Sequence, residues 1–422
     1  MKTLAVFVFV LDKARHCLCV IYKNQYHRRE RKFALNPVFY TLKMLSSRLS
    51  TQLLPLLLFT SAFAFDVVKD YSGNTFFDEW DFYGHWDNLT LGDVVWVDRT
   101  NATEKRLAYL NEAGNAILKV DTSPVVWDNK RDSVRITSQR EYDIGSLWII
   151  DVVHLPTGCS VWPAFWTKGH NWPDDGEIDI IEGINRVNYN QMALHTLPGC
   201  THVSPAPPTQ RGRSGQLDCS VDAGCTVIET SPNSFGEGFN AVGGGVWATQ
   251  FDESGIYIWF WSRNDIPRSI TESTPASSIQ TADWGNPSAF YPSGPNCDIA
   301  SSFSEQSIVI TITLCGTWAG NPDIYNPQCG SVGEFGKCYE DNVMGDGSNY
   351  NDAYFEIKYI RAYAEPGSPA ASSVTASVGP SATGTSPSTT DAPSPTIVGN
   401  SASTVHVGSM VAFAYFVIAL GV

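Results

Sequence analysis

Residues 65–365 of this 422-residue chain are predicted to form an all-β unit, a β-sandwich or jelly roll. Three observations predict it. The region carries no sustained helical period. Short runs recur that either alternate or are apolar throughout, and Gly, Pro, Asn and Asp punctuate them. Roughly 300 residues of short strands joined by long loops suit two packed sheets. The absence of an internal repeat speaks against a propeller.

Taken in order, residues 1–43 show no globular pattern and carry seven Lys/Arg between Lys13 and Lys32. They read as an extension upstream of a better start at Met44. Residues 44–64 have the layout of a signal peptide: Arg48, the apolar run Leu53–Phe59, and the small-x-small site Ala62-Phe63-Ala64. The run is too short to span a bilayer. Phe65 is then the mature start. Strand-like runs follow at Ala116–Val120, Ser133–Thr137, Leu147–His154, Val246–Phe251, Ile256–Trp261, Ser307–Leu314 and Tyr354–Tyr363. In the last, Phe355, Ile357 and Tyr359 alternate with Glu356 and Lys358, the period of a half-buried strand. Residues 366–400 hold 14 Ser/Thr, 6 Pro and one charge, Asp391, and read as an extended, O-glycosylated stalk. Residues 401–422 end in the uncharged run Met410–Val422. With the small residues Asn400, Ser401 and Ala402 before it, the layout is that of a GPI-attachment signal with Asn400 as the anchor site.

Composition narrows the function. Hydrophobics at 43% can fill a core, whereas charged residues are only 17% and the chain has 13 Trp. The formal charge is −15; residues 1–64 hold ten Lys/Arg against two Asp/Glu, so the remainder is more acidic still. Such a body argues against phosphate-backbone partners and suits a neutral substrate or an acidic medium. Two of the ten cysteines, Cys17 and Cys19, lie in the leader. The other eight are Cys159, Cys200, Cys219, Cys225, Cys297, Cys315, Cys329 and Cys338. An even set after a signal peptide implies disulfides, with connectivity open. No CxxC pair suggests a metal. The sequons at Asn88 and Asn101 agree with secretion.

The chemistry concentrates in Trp172-Pro-Asp-Asp-Gly-Glu-Ile-Asp-Ile-Ile-Glu-Gly183. Glu177 and Asp179 are two apart and share a strand face. Glu182 is five from Glu177 and would fall on the opposite face of a regular strand. A β-bulge near Ile180-Ile181 would bring all three carboxylates together. Three carboxyls on one face repel one another and raise at least one pKa, as a general acid requires. A solvated acidic face would not be framed by Ile178, Ile180, Ile181 and the nearby Trp162, Trp166 and Trp172. A calcium loop needs a spacing that is absent here. A protonated and an ionised carboxyl side by side are the machinery of retaining glycoside hydrolysis. The tryptophans directly upstream supply faces on which sugar rings stack. Trp259 and Trp261 alternate within one strand and suit either a core or a cleft.

The motif Gly176-Glu-Ile-Asp-Ile-Ile-Glu-Gly183 resembles the bulged, laminarinase-type signature of glycoside hydrolase family 16. The blocks Ser133–Ser138, Gly158–Trp166, His195-Thr196 with Gly199-Cys200, Phe239-Asn240 with Gly243–Gly245, and Gly316–Gly320 resemble its fungal secreted members. The resemblance implies a β-jelly roll of two curved antiparallel sheets with a concave substrate cleft. It implies an endo-acting retaining hydrolase that cleaves β-1,3 or mixed β-1,3/1,4-glucans. It implies Glu177 as nucleophile, Asp179 as the neighbour tuning protonation, and Glu182 as general acid/base. His195 would flank the reaction centre, and Trp162, Trp166, Trp172 and Asn240 would line the cleft. Thr317 stands where an acidic residue is more usual. No cofactor is implied; a structural calcium on the convex side is compatible with the family, although no residue pattern specifies it. The expected partners are β-glucan and, through the lipid anchor, a membrane or cell wall; the chain is expected to be a monomer. Two other functions fit the same fold: a wall-remodelling transglycosylase and a non-catalytic carbohydrate-binding protein.

Overall fold

The computed structural model describes residues 7–11, 17–21 and 64–371, apart from 124 and 205. The expected signal peptide up to residue 63, the stalk beyond 371, Asn400 and the tail lie outside the described residues. In the leader, Phe7–Leu11 and Cys17–Ile21 pair antiparallel, where the sequence pattern predicts no order. Both segments are rich in Val, Ile and Phe, residues that favour strands.

The main unit contains two eight-stranded antiparallel sheets facing each other across one core. The first runs Arg213–Ser214, Cys225–Ile228, Gln191–His195, Glu177–Glu182, Val161–Lys168, Gln306–Leu314, Arg135–Tyr142, Trp80–Phe82. The second runs Ala289–Pro292, Gly255–Ser262, Gly245–Asp252, Ser146–His154, Tyr354–Ala364, Ala116–Lys119, Ala108–Leu110, and Asp66–Ser72 also pairs with Tyr354–Ala364. A small third sheet joins His85–Trp86, Val94–Trp96 and Arg131–Ser133. This is the jelly-roll architecture the sequence predicts, and each predicted run falls on a strand except Ser133–Thr137, which bridges the end of Arg131–Ser133 and the start of Arg135–Tyr142. Among the described residues the longest helix is Pro322–Cys329, eight residues with Asn321 capping the Asp323 amide. Phe65, the expected mature start, is buried and exchanges backbone hydrogen bonds with Ile279.

Alternation explains why the first sheet has a floor for a site. In Gln306–Leu314, Ile308, Ile310, Ile312 and Leu314 enter the core between the sheets. Val309, Thr311 and Thr313 take the opposite face, where Val309 packs on Ala164 and Trp166. Each fully buried aliphatic side chain there contributes about 1.5–3 kcal/mol. Truncating Ile310 to Ala would cost about 2–5 kcal/mol. The second sheet is buried on both faces. Its outer face carries Leu147, Ile149, Val246, Ala248, Trp259 and Trp261 under a cover that includes Ile270, Ile279 and Trp284. Trp259 and Trp261 each meet Trp284 edge-on at 5.2 Å, which settles them as core residues.

All eight cysteines of the main unit form disulfides: Cys159–Cys329, Cys200–Cys297, Cys219–Cys225 and Cys315–Cys338. Cys315 directly follows a central strand, so two of the bridges bind the 316–338 segment to the sheet that carries the site.

Candidate active site

The acidic strand is bulged where parity requires it. Against Val161–Lys168, Ile181 pairs with Phe165 and Asp179 with Trp166, so Ile180 has no partner of its own. On the other side Asp179 pairs with Ala193 and Glu182 with Gln191. The extra residue restores the phase. Ile178, Ile180 and Ile181 are buried in the core, and Glu177, Asp179 and Glu182 line one cleft of about 980 Å³. The strand enters through Gly176, at φ +84°, where a Cβ would lie 2.3 Å from the Phe303 ring.

Neutral donors hold the two glutamates. Trp162 Nε1 donates to Glu182 Oε1 at 2.9 Å, and Trp172 Nε1 donates to Glu177 Oε2. His195 pairs with Glu177 in the strand register, and its Nε2 lies 3.2 Å from Asp179 Oδ2. Gly224 backs the imidazole so closely that a Cβ would sit 2.8 Å from Nε2. Burial is the largest cause raising all three carboxyls. It and the Asp179 charge push Glu177 and Glu182 to about 8, against the indole donors and His195, which pull them down. Asp179 rises to about 7 by burial, opposed by a hydrogen bond with Glu177. The trio therefore retains protons at pH values where free carboxyls have lost them. One ligand-type atom each of Glu177, Asp179 and His195 lies within 4.8 Å of the others, close enough to close on a cation. Among the described residues no other such group occurs.

The aromatic residues occupy the same cleft. Trp166 lies on its floor, with Nε1 donating to Thr311 Oγ1 at 3.2 Å. Trp162 and Trp172 line it, and Trp172 is exposed. Thr317 is also on the wall. Asn240 is elsewhere. Its Oδ1 accepts from the Leu155 amide at 2.8 Å and its Nδ2 donates to the Leu155 carbonyl at 3.0 Å. It thus clamps a loop beside the second sheet and is absent from the cleft lining, which corrects the expectation for this residue. Asn88 and Asn101 are both exposed.

Residues 80–363 match the family described as XgeA-like, catalytic GH16 domain. The chain belongs to glycoside hydrolase family 16. A probable glycosidase of Schizosaccharomyces pombe is 39% identical over 305 residues, covering 71% of this chain and 69% of that protein. Laminarinase 16A from Phanerochaete chrysosporium, solved with 6-O-glucosyl-laminaritriose in donor and acceptor sites, is 35% identical. It superposes with TM-score 0.66 and covers 71% of this chain and 99% of its own. An elongating family 16 β-1,3-glucosyltransferase is 36% identical, with TM-score 0.64 and coverage of 71% and 99%. The chain spans about half the length of the probable endo-1,3(4)-beta-glucanases of Aspergillus that it matches.

Within this family 16 cleft, several residues escape a reading of the sequence. Trp318 meets Trp162 edge-on, centroids 5.4 Å apart, and lines the wall. Its position in the Gly316–Gly320 block was the available signal. Arg135 is buried at the cleft, stacked within 4.7–5.3 Å of Tyr83, Trp96 and Trp166. Its Nε and Nη1 have no hydrogen-bond partner among the described residues. No local pattern announces this cage, because its three rings come from three separate segments.

Proposed function

We propose that the chain is a secreted, endo-acting, retaining β-glucanase that cleaves β-1,3 or mixed β-1,3/1,4-glucans. One observation carries the proposal: a bulged strand that turns Glu177, Asp179 and Glu182 together into an aromatic-lined cleft. Glu177 attacks the anomeric carbon as Glu182 protonates the departing glycosidic oxygen, giving a covalent glycosyl-enzyme. Glu182, now ionised, takes a proton from water, whose oxygen displaces Glu177 and releases the sugar with retained configuration. Asp179, between the two glutamates and beside His195, raises both glutamates with its charge and so tunes which of them holds a proton. Trp162, Trp166, Trp172 and Trp318 supply faces for the sugar rings.

A sugar hydroxyl in place of water gives transglycosylation. The likeness to the elongating β-1,3-glucosyltransferase favours this as the second reading. Secretion is supported by the residue 44–64 pattern and the four disulfides, and retention at the membrane or wall by the tail after Asn400. The exposure of Asn88 and Asn101 supports glycosylation at both sequons.

The test is a time course of products from laminarin and mixed-linkage glucan, with Glu177→Gln as control. Shrinking oligomers that vanish in the variant establish the hydrolase. Products longer than an added oligosaccharide transfer the assignment to transglycosylation. Bound glucan with no product of either kind refutes both.

A further inference from the structure

The bulge opens a gap in the ladder between Glu177–Glu182 and Gln191–His195. Asp179 pairs with Ala193 and Glu182 with Gln191, which leaves Ile180 and Ile181 with no partner residue on that side. Buried backbone groups left in such a gap need other partners. Asn190 supplies them. Its Nδ2 donates to the Ile180 carbonyl at 2.8 Å, and its Oδ1 accepts from the Glu182 amide at 3.0 Å. A primary amide carries donor and acceptor in one plane, as a peptide group does. Asn190 is fully buried and held from behind. Its own amide donates to Ser234 Oγ at 3.1 Å, and its carbonyl accepts from the Glu229 amide at 2.9 Å. Ser234 and Glu229 are themselves buried.

We infer that Asn190 is a positioning residue for Glu182: its side chain replaces the missing peptide of the ladder, fixes the bulge and so aims the Glu182 carboxyl. This rests on the glycosidase reading. Asn190 grips only backbone atoms of the acidic strand, so its effect passes through Glu182. A misplacement of about 1 Å at a reacting group can cost about 100-fold in rate. Asp keeps the volume and the acceptor of Asn190 and, when ionised, loses the donor. Ala loses both.

The test compares wild type, Asn190→Asp and Asn190→Ala on laminarin and on a 2,4-dinitrophenyl β-laminaribioside. A glucan leaving group needs the Glu182 proton, whereas dinitrophenolate departs without it. In Asn190→Asp, kcat on laminarin should fall about 10–100-fold with KM within about 2-fold, while kcat/KM for the aryl glycoside falls less than about 3-fold. Equal losses on both substrates, or no loss on either, overturn the inference. Amide hydrogen exchange provides a readout independent of activity. Residues 177–183 should exchange at least about 10-fold faster in Asn190→Asp, with residues 161–168 unchanged. Unchanged exchange at 177–183 overturns the inference even if Asn190→Ala fails to fold. Faster exchange in a chain whose wild type cleaves neither substrate upholds the clamp and refutes the glycosidase reading.

Discussion

Replacing Trp162 with Phe removes one hydrogen bond and leaves an aromatic ring in the cleft. Trp162 Nε1 donates to Glu182 Oε1 at 2.9 Å. That bond favours the ionised carboxylate and opposes burial and the Asp179 charge, which raise Glu182 to about 8. A hydrogen bond to a charged group is worth about 1.5–3 kcal/mol. The cleft is open to water, so the lower figure applies, and it corresponds to about one pKa unit. Losing the donor destabilises the charged form, so the Glu182 pKa rises. Glu182 must be protonated to act as the acid, and kcat/KM falls as pH passes upward through its pKa. The basic limb of the laminarin profile in Trp162→Phe should therefore move about one unit to higher pH. The acidic limb, which reports ionisation of the nucleophile, should move little. The assay is kcat/KM for both proteins over roughly pH 3 to 11. A basic limb that stays in place or moves to lower pH refutes the assignment of Glu182 as the proton donor.

Three further outcomes are expected. Glu182→Gln should lower kcat on laminarin by about 10²–10⁴-fold while sparing kcat/KM for a dinitrophenyl glycoside, measured by initial rates. Glu177 is raised by burial and Asp179 from 4.5 to about 8, so its contribution to stability is complete below pH 4.5 and is lost as pH rises through about 8. The melting temperature of Glu177→Gln minus that of wild type should accordingly grow across this window; a constant difference would contradict the shift. Replacing both Cys159 and Cys329 with Ser opens a bridge spanning 170 residues and should cost about 2–5 kcal/mol in a denaturant titration.

The bulge was legible because parity is a local property. Glu177 and Glu182 are an odd number apart, and no regular strand places them on one face. The strand runs were legible for the same reason, since burial on two faces or one leaves a period in the chain. What stayed hidden depends on contacts distant in sequence. Trp259 and Trp261 have the same alternation whether they face a cleft or a second core, and the cover from Ile270 to Trp284 decides it. Asn240 sits beside a glycine run that resembles a site block, yet its partner is the Leu155 backbone 85 residues earlier. Arg135 is caged by Tyr83, Trp96 and Trp166, three rings from three segments. The disulfide pairings likewise follow from the fold and not from spacing.

The choice of partners around the carboxylates explains how one strand can hold an acid and a nucleophile. A Lys or Arg paired with Glu182 would stabilise its anion and leave it ionised where it must donate a proton. Among the described residues no Lys or Arg makes a salt bridge to Glu177, Asp179 or Glu182; the ionisable side chain that meets them is His195, at Asp179. The glutamates receive indole N–H donors instead, which orient each carboxyl without carrying a full charge. The guanidinium that does reach the cleft, Arg135, spends its face on aromatic rings. With neutral donors on the glutamates and Asp179 between them, burial first and the Asp179 charge second keep a proton in the site. The bulge brings the three carboxyls together, and the indoles orient the two glutamates. Trp162 thus bears on both the acid strength and the aim of Glu182, whereas Asn190 touches only the backbone of its strand.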